Sequence, residues 1–305
     1  MARDPRADFI DDSPFPDSNT VYRVHSHQDP SGTIHVNLQS PFSTTDKTLW
    51  GVQFQQPITH HKGDLWHFSE EEKNHLLLAT FAFTIALGLM RVGGVLGISF
   101  FGMNSWALQL LLSIPVMLFA VGPAFLLHEI GHKIVAKYYG CWAEFRSDPQ
   151  GLKVGVGIAA LLGFVFMAPG AVMVAGTVTR RQNGHIAIAG PLVNLSLFLI
   201  GIPLGALVYT LLGGSVPSSN TYLVEGGFNW HVMLWDCISF WVTANLILGL
   251  FNMLPFGPLD GVKVRDWSYG AWLSLTLVFT LPLVAWMFTP WSPMDLAIGL
   301  ASLWM

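Results

Sequence analysis

Residues 110–127 carry no charged side chain, and this apolar run leads directly into Phe125-Leu-Leu-His-Glu-Ile-Gly-His-Lys133. A stretch of that length and character is read as a helix in a bilayer. Further apolar runs occur at residues 75–98, 186–212, 232–254 and 272–288. Charged residues make up 11% of the chain and hydrophobic ones 52%, with mean hydropathy +0.49. Soluble domains carry about 25% charged residues. The expected fold is therefore all-α and polytopic, with about six transmembrane helices; residues 293–305 are apolar but short, either a sixth span cut at its end or a partial one. A net charge of −4 argues against nucleic acid as a partner. With only two cysteines, Cys141 and Cys237, the chain has neither a disulfide framework nor a Cys-rich zinc module.

The chain divides into residues 1–68 and 69–305. The first part opens on a polar, Pro-rich tail (residues 1–19) with no apolar core of a signal peptide. Short strands are expected at 21–24, 34–38 and 50–54, with a turn at Asp29-Pro30-Ser31-Gly32. They form a small extramembrane β-type appendage on the cytoplasmic side. Its histidines, His25, His27, His35, His60 and His61, read as scattered surface residues. Ser69-Glu70-Glu71-Glu72 then opens the first span as a capping box with an acidic first turn.

The run at 106–139 would reach about 50 Å as one helix, against a bilayer core of about 30 Å. Gly122-Pro123 is expected to kink or break it. Residues 141–150 read as a polar loop. Residues 154–168 are apolar but flanked on both sides by basic residues, Lys153 and Arg180-Arg181. That favours a re-entrant or surface-lying hairpin over a crossing. Residues 171–178 lean towards β structure and could pair with an extended peptide or serve as a structural hairpin. Lys and Arg positions place the N-terminus in the cytoplasm, with Arg91 the exception at an outer edge.

His128-Glu129-x-x-His132 places two imidazoles on one helical face, able to share one zinc ion, with Glu129 beside them to take a proton from water. Ionisable groups at membrane depth are costly and point to function. A catalytic zinc has three protein ligands as a rule. Asp260 is the favoured third, because two prolines and a glycine in Asn252-Met-Leu-Pro-Phe-Gly-Pro-Leu-Asp-Gly261 end a span and let it turn inward. Asp236 competes but sits near the opposite end of its span. Asn252 is a candidate to hold an oxyanion or substrate carbonyl. Asn194 and Asn245 read as interhelical hydrogen-bonding residues.

His128-Glu129-Ile130-Gly131-His132 and Asn252-x-x-Pro255-x-x-Pro258-Leu259-Asp260-Gly261 together resemble the two motifs of the site-2 protease family of intramembrane zinc metalloproteases. Gly190-Pro191-x-x-Asn194 between them is also similar, and the resemblance covers about residues 70–290. It implies one Zn²⁺ held by His128, His132 and Asp260, with Glu129 activating water. It also implies cleavage of single-span membrane proteins at a cytoplasm-proximal site in the cell membrane of a prokaryote. The sequence departs from many members at Val262-Lys263, where a second glycine is usual, and in lacking a PDZ-sized insert. Two other readings are a CAAX-type membrane metallopeptidase, which needs a downstream glutamate ligand, and a non-proteolytic scaffold retaining a zinc site.

Overall fold

A computed structural model describes residues 64–305 except 168, 225 and 226, together with the backbone of two upstream strands. Those strands, β1 (Arg23–Gln28) and β2 (Ile34–Gln39), pair antiparallel with Gln28 opposite Ile34, as expected of a hairpin. The tail at 1–19, the turn at 29–32, the strand expected at 50–54 and the side chains of the five appendage histidines lie outside the described residues.

The remaining elements are α1 (Glu70–Arg91), α2 (Ile98–Phe101), α3 (Met103–Tyr138), β3 (Trp142–Ser147), α4 (Pro149–Leu162), β4 (Gly170–Ala175) and α5 (Arg180–Leu211). They continue with β5 (Leu223–Val224), β6 (Gly227–Phe228), α6 (Trp230–Asn252), α7 (Asp260–Trp267), α8 (Tyr269–Phe288) and α9 (Met294–Ala301). Among the described residues, five helices are long and apolar enough to cross a membrane: α1, α3, α5, α6 and α8. The chain is thus an all-α polytopic membrane protein. Among the described residues the last apolar run forms no full span: α9 has 8 residues, a length of about 12 Å, and it packs on α5 where Ala297 faces Gly205. Helix α3 runs unbroken through Pro115 and Pro123, so of the kink or break expected at Gly122-Pro123 the break does not occur.

Two apolar cores hold the bundle. One joins α1, α3 and β3 through Phe83, Phe125 and Phe145, whose rings meet in sequence, tilted and then edge-on, with centroids 5.9 and 5.7 Å apart. The other joins α5, α6, α8 and α9 through Phe198, Val242, Leu246 and Phe279. Outward faces stay apolar, as at Leu111 and Phe119, which suits lipid as solvent.

Residues 141–150, expected to be loop, contain β3. The strand escapes local reading because its partner β4 lies beyond α4, with Ser147 opposite Gly170. That pairing makes the chain enter and leave α4 at one level. Asp148 caps α4, accepting from Gln150 N at 3.0 Å. The far end of α4 reaches the turn after α1, where a Cβ on Gly94 would lie 2.8 Å from Gly163 N. The chain then returns to β4, which pairs with β3. The helix α4 packs along α1 with both of its ends tied to the one β3–β4 pair.

Helix α1 closes the outer edge of β3. Phe145 N donates to Glu72 Oε1 at 3.0 Å and Ser147 N to His75 Nδ1 at 3.1 Å. These alternate N–H groups all point to one side of the strand. Glu72 also forms a buried ion pair with Lys133. Ser69 caps α1, accepting from Glu72 N at 3.2 Å, but the capping box does not close, because long-range partners claim the Glu72 carboxylate. At the other end of α1, Arg91 Nε donates to Asp236 Oδ2 at 2.8 Å, and Tyr222 Oη donates to the same oxygen at 2.8 Å. The exceptional outer arginine is thereby neutralised, and Asp236 is occupied far from the histidines.

Candidate metal centre

Helix α3 carries His128 and His132 one turn apart near its C-terminal end. Both are buried, at 3% and 7% exposure, and their rings meet edge-on with centroids 4.7 Å apart. Asp260 comes from the first turn of α7 and is also buried. Helix α6 stops at Asn252 and the chain turns through a left-handed Gly257 before α7 begins, as the prolines and glycine predict. Gly261 has a separate purpose: a Cβ there would lie 2.6 Å from Leu254 O. Its lack of a side chain lets α7 pack on the end of α6 and brings Asp260 inward.

The three side chains converge. His128 Nε2 and His132 Nε2 are 3.0 Å apart, and Asp260 Oδ2 lies 3.0 Å from His132 Nε2 and 3.5 Å from His128 Nε2. Tetrahedral zinc with bonds of about 2.0–2.1 Å spaces its ligands about 3.3 Å apart, so the triangle fits. Among the described residues this is the cluster able to hold a metal ion, and no downstream glutamate joins it.

The hydrogen bonds behind the rings make the same case. His128 Nδ1 faces Asn194 Oδ1 at 2.6 Å and His132 Nδ1 faces the Ile186 carbonyl at 2.7 Å. Both partners are acceptors, so both Nδ1 atoms carry the proton. Each Nε2 then turns a lone pair into the gap, towards the other lone pair and a carboxylate oxygen. Three electron-rich atoms at such separations require a positive charge between them.

Glu129 follows His128 and is nearly buried, at 9% exposure. Its carboxylate meets the backbone N–H of Val172 in β4. Strand β4 pairs only with β3 among the described residues, so its second edge faces the Glu129 side. Asn252 ends α6 with its amide donating to Leu248 O at 3.0 Å. No hydrogen bond links it to the three convergent side chains among the described residues.

The reading from sequence missed the link between Asn194 and His128. Asn194 does bridge helices, donating to Asn245 Oδ1 at 2.9 Å, but its oxygen also orients a candidate ligand. The Gly190-Pro191-x-x-Asn194 spacing was the available signal: Gly190 is one turn before Asn194 and faces the same rings. A Cβ on Gly190 would fall 2.6 Å from His128 Nε2 and clash with His132. The rings cannot retreat, since Asn194 and Ile186 hold them from behind. Gly190→Ala is therefore expected to fold but to weaken zinc binding at least about tenfold, as perturbing a ligand's support does. Zinc titration against a chromogenic chelator checks this; unchanged affinity would mean that α5 yields more easily than its packing implies.

Comparison with curated proteins gives consistent relatives. The chain is 36% identical over 173 residues to Putative zinc metalloprotease MJ0611 of Methanocaldococcus jannaschii, covering 56% of this chain and 78% of that protein. It is 31% identical over 150 residues to Putative zinc metalloprotease Rip3 of Mycobacterium tuberculosis, covering 49% of this chain and 29% of the relative. It is 28% identical over 163 residues to Putative zinc metalloprotease YwhC of Bacillus subtilis, covering 50% of this chain and 68% of the relative. No family model and no solved structure matches.

Proposed function

The chain belongs to the family of the Methanocaldococcus jannaschii putative zinc metalloprotease, and on that footing we propose that it is an intramembrane zinc endopeptidase of the site-2 protease type. Its substrates in this reading are single-span membrane proteins. The observation that carries it is the buried meeting of His128, His132 and Asp260 beside Glu129, in a bundle whose histidine-bearing helix α3 is apolar enough to cross a bilayer.

Zinc bound by the three side chains would act as a Lewis acid on the scissile carbonyl and make water acidic enough to attack near neutral pH. Glu129 takes the proton from the attacking water and passes it to the departing amide nitrogen. Asn194 and the Ile186 carbonyl keep both imidazoles oriented. Asn252 stands on the same broken stretch as Asp260 and can hold a substrate carbonyl once its amide leaves Leu248 O.

A helical substrate hides its carbonyls in its own hydrogen bonds and must unwind to react. The free edge of β4 offers replacement partners next to Glu129. Residues 164–167, which lead into it, make no backbone–backbone hydrogen bond among the described residues, and unpaired peptide groups in apolar surroundings are costly. A strand laid along Gly170–Ala175 would satisfy both chains. Closure of β3 by Glu72 and His75 leaves this as the one open edge of that sheet.

The positive-inside bias sets the N-terminus and active site towards the cytoplasm. The test is purified protein in proteoliposomes with a tagged single-span substrate. Cleavage is expected within or at the border of the span, to stop with 1,10-phenanthroline, and to return on adding Zn²⁺. Cuts confined to soluble flanks would refute the intramembrane reading, and chelator-resistant cleavage the metal one.

A further inference from the structure

We infer that Asn245, which hydrogen-bonds none of the three candidate ligands, is a positioning residue that fixes the tautomer of His128 through Asn194 and so tunes zinc affinity. The inference rests on the metal reading above. It starts from a fixed point, the main-chain carbonyl of Trp241 in α6. Asn245 Nδ2 donates to that oxygen at 2.8 Å. The amide can face it only with nitrogen, so Asn245 Oδ1 points the other way, towards α5.

There it accepts from Asn194 Nδ2 at 2.9 Å, and Asn194 Nδ2 donates a second time to Ala124 O at 3.1 Å. Two acceptors thus hold the nitrogen end of Asn194, and Oδ1 is left for His128 Nδ1 at 2.6 Å. Both asparagines are fully buried, at 0% exposure, so water cannot substitute for a missing partner.

Without the Asn245 acceptor, Ala124 O alone would oppose rotation of the Asn194 amide. The rotated form turns NH₂ to His128 and needs a lone pair on Nδ1. The ring proton would then sit on Nε2, where it blocks ion binding. A side chain on α6 therefore decides whether a nitrogen on α3 can be a ligand.

The test compares Asn245→Thr with Asn245→Val, two side chains of nearly one shape. Thr can donate to Trp241 O, as Thr243 Oγ1 donates to Ser239 O at 2.7 Å in the same helix, and still accept from Asn194. Val can do neither. Nitrogen-15 spectra of histidine-labelled, metal-free protein in micelles are expected to show His128 protonated on Nδ1 in the wild type and in Asn245→Thr. In Asn245→Val the proton is expected to spread to Nε2. Zinc affinity, measured by chelator competition, is expected to fall about tenfold in Asn245→Val relative to Asn245→Thr. An Asn245→Val protein with either the wild-type nitrogen spectrum or the affinity of Asn245→Thr overturns the inference, even if it melts lower, since that outcome is packing alone. Should the wild type take up no zinc, the metal reading fails instead, and the nitrogen spectra still decide whether the relay sets the tautomer.

Discussion

Alanine at Asp260 is expected to leave the purified chain without zinc. The carboxylate is the only contribution to the cluster from outside α3, and its Oδ2 lies 3.0 and 3.5 Å from the two imidazole nitrogens. Removing it leaves two neutral ligands and takes away the one formal negative charge facing the ion. Loss of an outer hydrogen-bond partner typically costs about 10–100-fold in metal affinity, and loss of a direct ligand with its charge must exceed that. Metal analysis after dialysis against a weak chelator should find about one zinc per wild-type chain and almost none in Asp260→Ala. Cleavage should vanish with the metal. Stoichiometric zinc in the variant would show that the carboxylate only hydrogen-bonds the imidazoles, and another group would have to complete the site.

The parts of this site that sequence discloses share a physical origin. His128 and His132 are legible because helical periodicity alone puts them on one face. Asp260 is legible because prolines and a glycine announce where a span ends, and a carboxylate at such a place needs a partner. Asn194 was only half legible. An asparagine in an apolar helix must find a hydrogen bond, but sequence does not say that its partner is His128 on another helix.

Long-range pairing accounts for the other differences. Glu72 has the spacing of a capping residue, yet Lys133 and Phe145 claim its carboxylate from positions far along the chain. Strand β3 looks like a polar loop until β4, beyond α4, supplies its partner. Length decided the last apolar run: α9 has the composition of a span but, at 8 residues, about two-fifths of the length that one needs. The return of the chain to one side after α4 was legible because basic residues on both flanks, Lys153 and Arg180-Arg181, place both ends on one side without reference to packing.

Glu129→Gln should separate the metal from the chemistry. Gln matches Glu in shape and can still accept from Val172 N–H, so the site is expected to keep its zinc and its geometry. It cannot take up a proton at any working pH. Loss of a positioned general base costs about 10²–10⁴-fold in rate, so turnover of a single-span substrate in proteoliposomes should fall to that extent while zinc content stays near that of the wild type. Substrate binding should persist, and the variant should retain uncut substrate in pull-downs. Stability should not suffer, because a buried amide is less costly than a buried carboxylate; the melting temperature should hold or rise slightly. Wild-type turnover by purified Glu129→Gln would remove Glu129 from proton transfer. Loss of zinc along with activity would instead make Glu129 a part of the ion site.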